Sequence, residues 1–311
     1  MAVGPAMVLA TLVLAGCGGG SSGGGNIQVS ADLGTIDSQS APVIAGAVAA
    51  AVVGSENLAT IGGFSVPSVS SSFATLGKDA PQILAATIGP ETVGCAAGGS
   101  VTLSGTVAVP ASLTAGDTLV FDFLDCDDAE GVVVDGGLTF EIVAFSGDVA
   151  MGMITLTVAM TLDQLRFLDN GAGGSMDGEL SFTLDTTNLP ESFFAVSSSM
   201  FSMTAGGAAS TLSDYIVTIA INPILGTATL ESSATLGSAA FDGELSYVTT
   251  KALVFGGQSG PESGQIVISG ADDATITIDI LSADLIELDI DFDGNETVDE
   301  VVVTNWAELT A

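Results

Sequence analysis

The residues with the clearest capacity for chemistry lie near the end of the chain, in Asp289 to Glu300, which reads DIDFDGNETVDE. The spacing D-x-D-x-D-G-x5-E is met by Asp289, Asp291, Asp293, Gly294 and Glu300, and Asn295 and Asp299 add further oxygen donors. Such a row suits a hard cation, because calcium takes six to eight oxygen ligands and tolerates irregular geometry around them. The glycine lets the backbone turn tightly enough for ligands on both sides of it to converge.

The flanks decide what kind of loop this is. The upstream LIELDIDF alternates, with Ile286, Leu288, Ile290 and Phe292 on one face and Glu287, Asp289, Asp291 and Asp293 on the other. That is a strand pattern, and Glu296 stands at the eighth loop position, where helical EF-hand loops place an apolar residue. The expectation is a β-flanked site: Gly294 makes the turn, VDEVVVTNW returns as the partner strand, and the Asp row meets Asp299 or Glu300 around one calcium ion. A solvated hairpin face is the alternative. Repulsion alone does not dismiss it, since like charges about 7 Å apart cost only roughly 0.6 kcal/mol in bulk water. Convergence of several carboxylates on a glycine turn with no Lys or Arg nearby favours the metal.

The whole chain is as acidic as this loop. Thirty-seven Asp and Glu face three basic residues, Lys78, Arg166 and Lys251, for a net charge of −34. Phosphate backbones repel such a polyanion, so nucleic acid is excluded as a partner. The carboxylates must be solvated, screened by salt or neutralised by metal. There is no histidine, which removes Ser-His-Asp and Cys-His catalysis and His-ligated zinc. Paired acids can hydrolyse glycosides, but sugar sites want aromatic platforms and the chain has one Trp, Trp306. The acidic stretch Asp122, Asp125, Asp127, Asp128 and Glu130 reads as a solvated turn. The expectation is a protein without enzymatic activity.

At the other end, an apolar run from Ala6 to Leu14 is too short to span a bilayer and leads into LAGC and a GGGSSGGG tether. Leu14 to Cys17 resembles the lipobox of bacterial lipoproteins. That resemblance implies a signal peptide over residues 1–16, lipid attachment at Cys17, and a tether over 17–26. Gly18, rather than Asp, after the cysteine is similar to the pattern of lipoproteins sent on to the outer membrane. Two cysteines remain, Cys95 and Cys126, and an even pair in an exported chain reads as a disulfide. They flank two alternating runs, SVTLSGTVAV and DTLVFDFLD, so the bridge is expected to cross the arms of one hairpin. Closing that loop contributes roughly 3 to 4 kcal/mol in a chain-entropy treatment.

The elements that must position these residues are mostly strands. One helix is expected, in SAPVIAGAVAAAVVGSENLATIGG, capped by Ser40 or Asp37, with Pro42 in its first turn and Ala-rich sequence continuing to Gly54. Later segments alternate with period two: 138–145, 153–167, 179–185, 214–222, 265–270, 274–281 and 285–292. A glycine followed by apolar residues at the second and fourth places recurs at Gly105, Gly136, Gly178, Gly243 and Gly264, and reads as a turn glycine that opens a strand. The fold class expected for residues 27–311 is a single large all-β domain. It would be an antiparallel meander, as a curved sheet, sandwich or half-barrel, with one short N-terminal helix. A membrane-spanning barrel fits less well, for want of aromatic girdles.

The lipobox and the closing DIDFDGNETVDEVVVTNWAEL together resemble uncharacterised β-rich lipoproteins of Gram-negative bacteria. That resemblance implies a cell-envelope protein, lipid-anchored at the outer membrane on its periplasmic face or at the cell surface. The leading expectation is a calcium-stabilised interaction or structural module with a protein partner. The alternative is a carrier of lipid or another apolar ligand, held in a cavity between a curved sheet and the N-terminal helix.

Overall fold

The computed structural model describes residues 33–61, 86–108, 114–127, 132–148, 151–169, 172–188, 190–205, 208–238, 241, 243–256 and 260–309. Cys17, the signal segment and the tether lie outside the described residues, as do Asp128 and Glu130.

The first element is the expected helix. The Asp37 carboxylate accepts the N–H groups of Gln39 and Ser40 at 2.9 and 2.8 Å, and the Ser40 hydroxyl accepts the Asp37 N–H at 2.9 Å. This reciprocal cap launches α1 (Ala41–Ile61), with Pro42 in its first turn. The helix continues past Gly54. One internal glycine costs only about 1 kcal/mol, and the Ser-Glu-Asn-Leu-Ala-Thr-Ile that follows can carry it. Ala41, Ile44, Ala45, Val48, Ala49 and Val52 form a fully buried stripe at helical spacing. Each large member of that stripe stabilises by about 1.5–3 kcal/mol relative to exposure.

The remainder is one sheet. Its strands are β1 (Ala86–Gly94), β2 (Gly98–Val107), β3 (Thr118–Asp127), β4 (Val132–Asp148), β5 (Met153–Asp169), β6 (Ala172–Asp185) and β7 (Ser192–Ala205). They continue as β8 (Ala208–Asn222), β9 (Thr227–Ser238), β10 (Glu244–Phe255), β11 (Ser263–Ser269), β12 (Thr275–Ser282), β13 (Leu285–Asp291) and β14 (Glu300–Thr304). All fourteen pair antiparallel with their sequence neighbours, in chain order, and the sheet is not closed. A meander follows from short turns between alternating segments, because consecutive antiparallel strands need no crossover. A terminal turn of helix, α2 (Trp306–Leu309), ends the described chain.

One face of the sheet is the core. Ile266 and Ile268 on β11, Ile276, Ile278 and Ile280 on β12, and Ile286, Leu288 and Ile290 on β13 are buried and alternate with half-exposed residues, polar except for Val267. The α1 stripe joins them in one apolar cluster that reaches back to Leu138 on β4. The first described residues are held by the sheet: Leu33 bridges Glu244, and Gly34 donates its N–H to the Glu244 carbonyl at 2.7 Å and accepts the Ala271 N–H at 2.8 Å.

The strands are longer than their alternation indicates, and the recurrent glycines explain why. Only Gly243 precedes a strand; Gly105, Gly136, Gly178 and Gly264 lie within β2, β4, β6 and β11, which corrects the reading of all five as strand-opening turns. Gly136 and Gly178 have φ of +109° and +131°, conformations that L side chains rarely adopt. They sit on a line of register shifts: Asp135/Gly137 on β4, Leu162/Leu165 on β5, Gly178/Ser181 on β6 and Ser213/Ile216 on β8. Gln164 and Asp214, at φ of +48° and +51°, are the extra residues on β5 and β8. Bulges and glycine kinks aligned across neighbouring strands bend a sheet without ending it. Periodicity alone breaks at such points, so one bent strand reads as two short ones.

Candidate metal centre

β13 carries its alternation up to Asp291, the last residue of the strand and only 6% exposed. A carboxylate there must be satisfied. Its Oδ1 accepts the N–H groups of Asp293 and Gly294 at 3.2 and 2.8 Å, and its Oδ2 accepts the Glu296 N–H at 2.8 Å. Asp291 thereby folds the loop back over itself. Gly294 and Glu296 take left-handed φ of +67° and +63°. Asp293 accepts the Asn295 N–H at 3.3 Å, and the Asn295 side-chain oxygen accepts the Thr297 N–H at 2.8 Å. On the return, the Asp299 N–H donates to the Ile290 carbonyl, and its Oδ2 accepts the Phe292 N–H, both at 2.8 Å.

This loop brings three carboxylates together. One oxygen each from Asp291, Asp293 and Asp299 lies within 4.8 Å of the others. Two oxygens bound to one calcium at about 2.4 Å each can be no more than about 4.8 Å apart, so the spacing is compatible with a shared ion. The other residues of the sequence pattern do not join this group. Asp289 lies one step back on β13, opposite Val301; Glu300 begins β14, exposed and opposite Ile290; the Asn295 side chain is engaged within the loop.

Two acidic residues that the sequence reading passed over stand beside the loop. Asp272 and Asp273 form a 3-10 turn between β11 and β12, with φ of +56° and +60°. A Cβ on Gly294 would meet the Asp272 carbonyl oxygen and would come within 2.8 Å of the Asp273 Cβ, so the two turns touch. The Asp-Asp pair in GADDA was visible, but its placement follows from register: Thr275 opens β12 opposite Asp291. Neither turn contains Lys or Arg. Lys251 lies elsewhere on the sheet, 3.6 Å from Asp279.

The remaining candidates are distributed. Cys95 and Cys126 form a disulfide with Cα atoms 5.4 Å apart. It joins the turn before β2 to the end of β3, at the open end of their hairpin, where Gly98 pairs with Asp127. Asp122 and Asp125 are exposed but lie within β3, which runs on to Asp127, so these positions belong to a strand and not to the solvated turn expected of them. A crevice lined by Leu156, Val158, Phe182, Leu184 and Phe194 holds about 10 Å³, far below the roughly 300–1,000 Å³ of small-molecule sites, so it lends nothing to the carrier alternative. No described helix is long and apolar enough to cross a membrane. No protein-family model matches this chain, and comparison with curated proteins and with solved structures finds no match either.

Proposed function

We propose that this protein is a non-enzymatic, calcium-stabilised β module of the cell envelope, held at the outer membrane by a lipid on Cys17. Within that reading its sheet serves as an interaction or structural surface. The observation that carries the calcium part is the convergence of Asp291, Asp293 and Asp299 oxygens within 4.8 Å, in a loop with no cation of its own. Backbone N–H groups already bind these side chains, leaving further lone pairs on each carboxylate for a metal. An ion bound there would hold the β13–β14 loop closed on itself and relieve the local charge.

Binding only to the folded state stabilises by mass action, by about 2.7 kcal/mol at a hundredfold excess over Kd. Calcium should therefore raise the melting temperature by several degrees over EDTA at equal ionic strength. The double change Asp293→Asn with Asp299→Asn keeps oxygen acceptors for the Asn295 and Phe292 amides but removes two charges, and should abolish that increment. Identical melting of the unaltered protein in calcium and in EDTA would leave the loop as a hydrogen-bonded turn only.

A further inference from the structure

The two edges of this open sheet are not alike. β1 pairs with β2 alone, and its free side is guarded. Pro90 has no N–H to offer, Gly89 and Pro90 occupy a register shift between Ile88 and Glu91, and Glu91 is exposed. Proline, bulges and charge are the devices by which edge strands avoid pairing with other chains. β14 has neither proline nor bulge, and its one charge, Glu300, stands at its first residue. Its register with β13 is unbroken from Ile290 opposite Glu300 to Ile286 opposite Thr304, and among the described residues no strand pairs with its other side. Val301 and Val303 are 55% and 60% exposed. A regular, β-branched, unpaired edge is a template for one more strand.

Charge selects which strand. Glu287 and Asp289 lie opposite Val303 and Val301, on the same face as those valines, and Asp299, Glu300 and Glu308 are exposed around the edge. No Lys or Arg follows Lys251 in the sequence. A strand added beyond β14 would stand two strand spacings from β13, about 10 Å, which is about one Debye length. Lysine and arginine stems are long enough to lie across the valines and bring their charge nearer still.

We propose that the free edge of β14 is a strand-addition site for an extended, basic segment of a partner protein, in which Lys or Arg alternates with β-branched residues. A second copy of this chain is the wrong occupant, since it would bring a further −34 to an edge already ringed with carboxylates. The proposal is independent of the metal, and its test is run in EDTA.

The probe is a short capped peptide of alternating valine and lysine, titrated at physiological salt into the isotopically labelled protein, with a valine–glutamate peptide as counterpart. Chemical-shift changes and new amide-exchange protection are expected across Glu300–Thr304 with the lysine peptide and not with the glutamate one. Val303→Lys should weaken binding at least about tenfold, because lysine on an edge both repels the peptide and blunts pairing. Its side chain is largely exposed, so melting should be unchanged. Val93→Lys adds the same charge to the guarded edge, where Val93 is 54% exposed, and should leave affinity within about twofold. Equal weakening by both lysine variants, or shifts spread over the acidic surface without protection at β14, would reduce the effect to diffuse attraction and overturn the proposal. So would self-association without peptide that Val303→Lys abolishes.

Discussion

At the scale of single residues, Asp117 shows what a buried carboxylate does here without metal. It is 4% exposed and stands just before β3. Its Oδ1 accepts the Ala108 N–H at 2.7 Å and the Thr114 hydroxyl at 3.0 Å, while its Oδ2 accepts the Thr114 N–H at 2.8 Å. Burial pushes its carboxyl pKa up, and the three hydrogen bonds outweigh that, leaving it below the usual aspartate range. A depressed folded pKa contributes stability that is complete above the unfolded value near 4 and is lost as pH falls through the lower folded value. Asp117→Ala should cost about 2 kcal/mol at neutral pH, for the buried donors left unsatisfied. Urea midpoints would measure it, and the variant should also lose less stability than the unaltered protein between neutral pH and the acid range. Tyr247 lies outside that window, because burial pushes its hydroxyl to about 12 against the opposing effect of its hydrogen bond with Ser232.

At the scale of elements, the line of kinks from β4 to β8 bends long strands that stay paired on both sides of it. Gly178 is its sharpest test. A Cβ there would come within 2.7 Å of the Met200 carbonyl oxygen on β7, at a φ of +131°. Gly178→Ala should therefore destabilise by roughly 1–3 kcal/mol, the scale of backbone strain at such a position. Ser175→Ala, outside the register shifts at a half-buried site of the same strand, should cost much less in the same denaturant titration. Similar losses for both would show that the kink carries no special constraint.

At the scale of the whole molecule, charge dominates. With −34 to accommodate, the folded state is stabilised by anything that screens or binds carboxylates. Leu33, the first described residue, bridges Glu244 at the start of β10, and Gly34 bonds Ala271 in the turn that abuts the acidic loop. The described chain thus begins at the end of the sheet that carries the carboxylate cluster. Cys17→Ser should release the exported protein from membranes into the soluble fraction; sedimentation with membranes after a high-salt wash would overturn the anchor.

Period-two alternation was enough to determine an antiparallel meander, because the pattern is local: Ile276, Ile278 and Ile280 need no knowledge of their neighbours to declare a buried face. The cap at Asp37 and Ser40 was legible for the same reason. So was the hairpin that Cys95 and Cys126 close, since its arms are contiguous in sequence. β1, β7 and β9 escaped: Gly89 and Pro90 interrupt the first, and serine and threonine blur the alternation of the other two. Inter-strand geometry decided the rest. Whether a strand glycine opens a turn or bends a strand depends on the carbonyl it faces across the ladder, as Gly178 faces Met200. Which acids of DIDFDGNETVDE meet depends on backbone N–H groups that draw in Asp291 and Asp299, while the register of β14 carries Glu300 away. Asp272 and Asp273 reach the same place only because β12 pairs beside β13. A linear spacing names the residue types that can bind an ion, and the fold of the ladder selects the ones that converge.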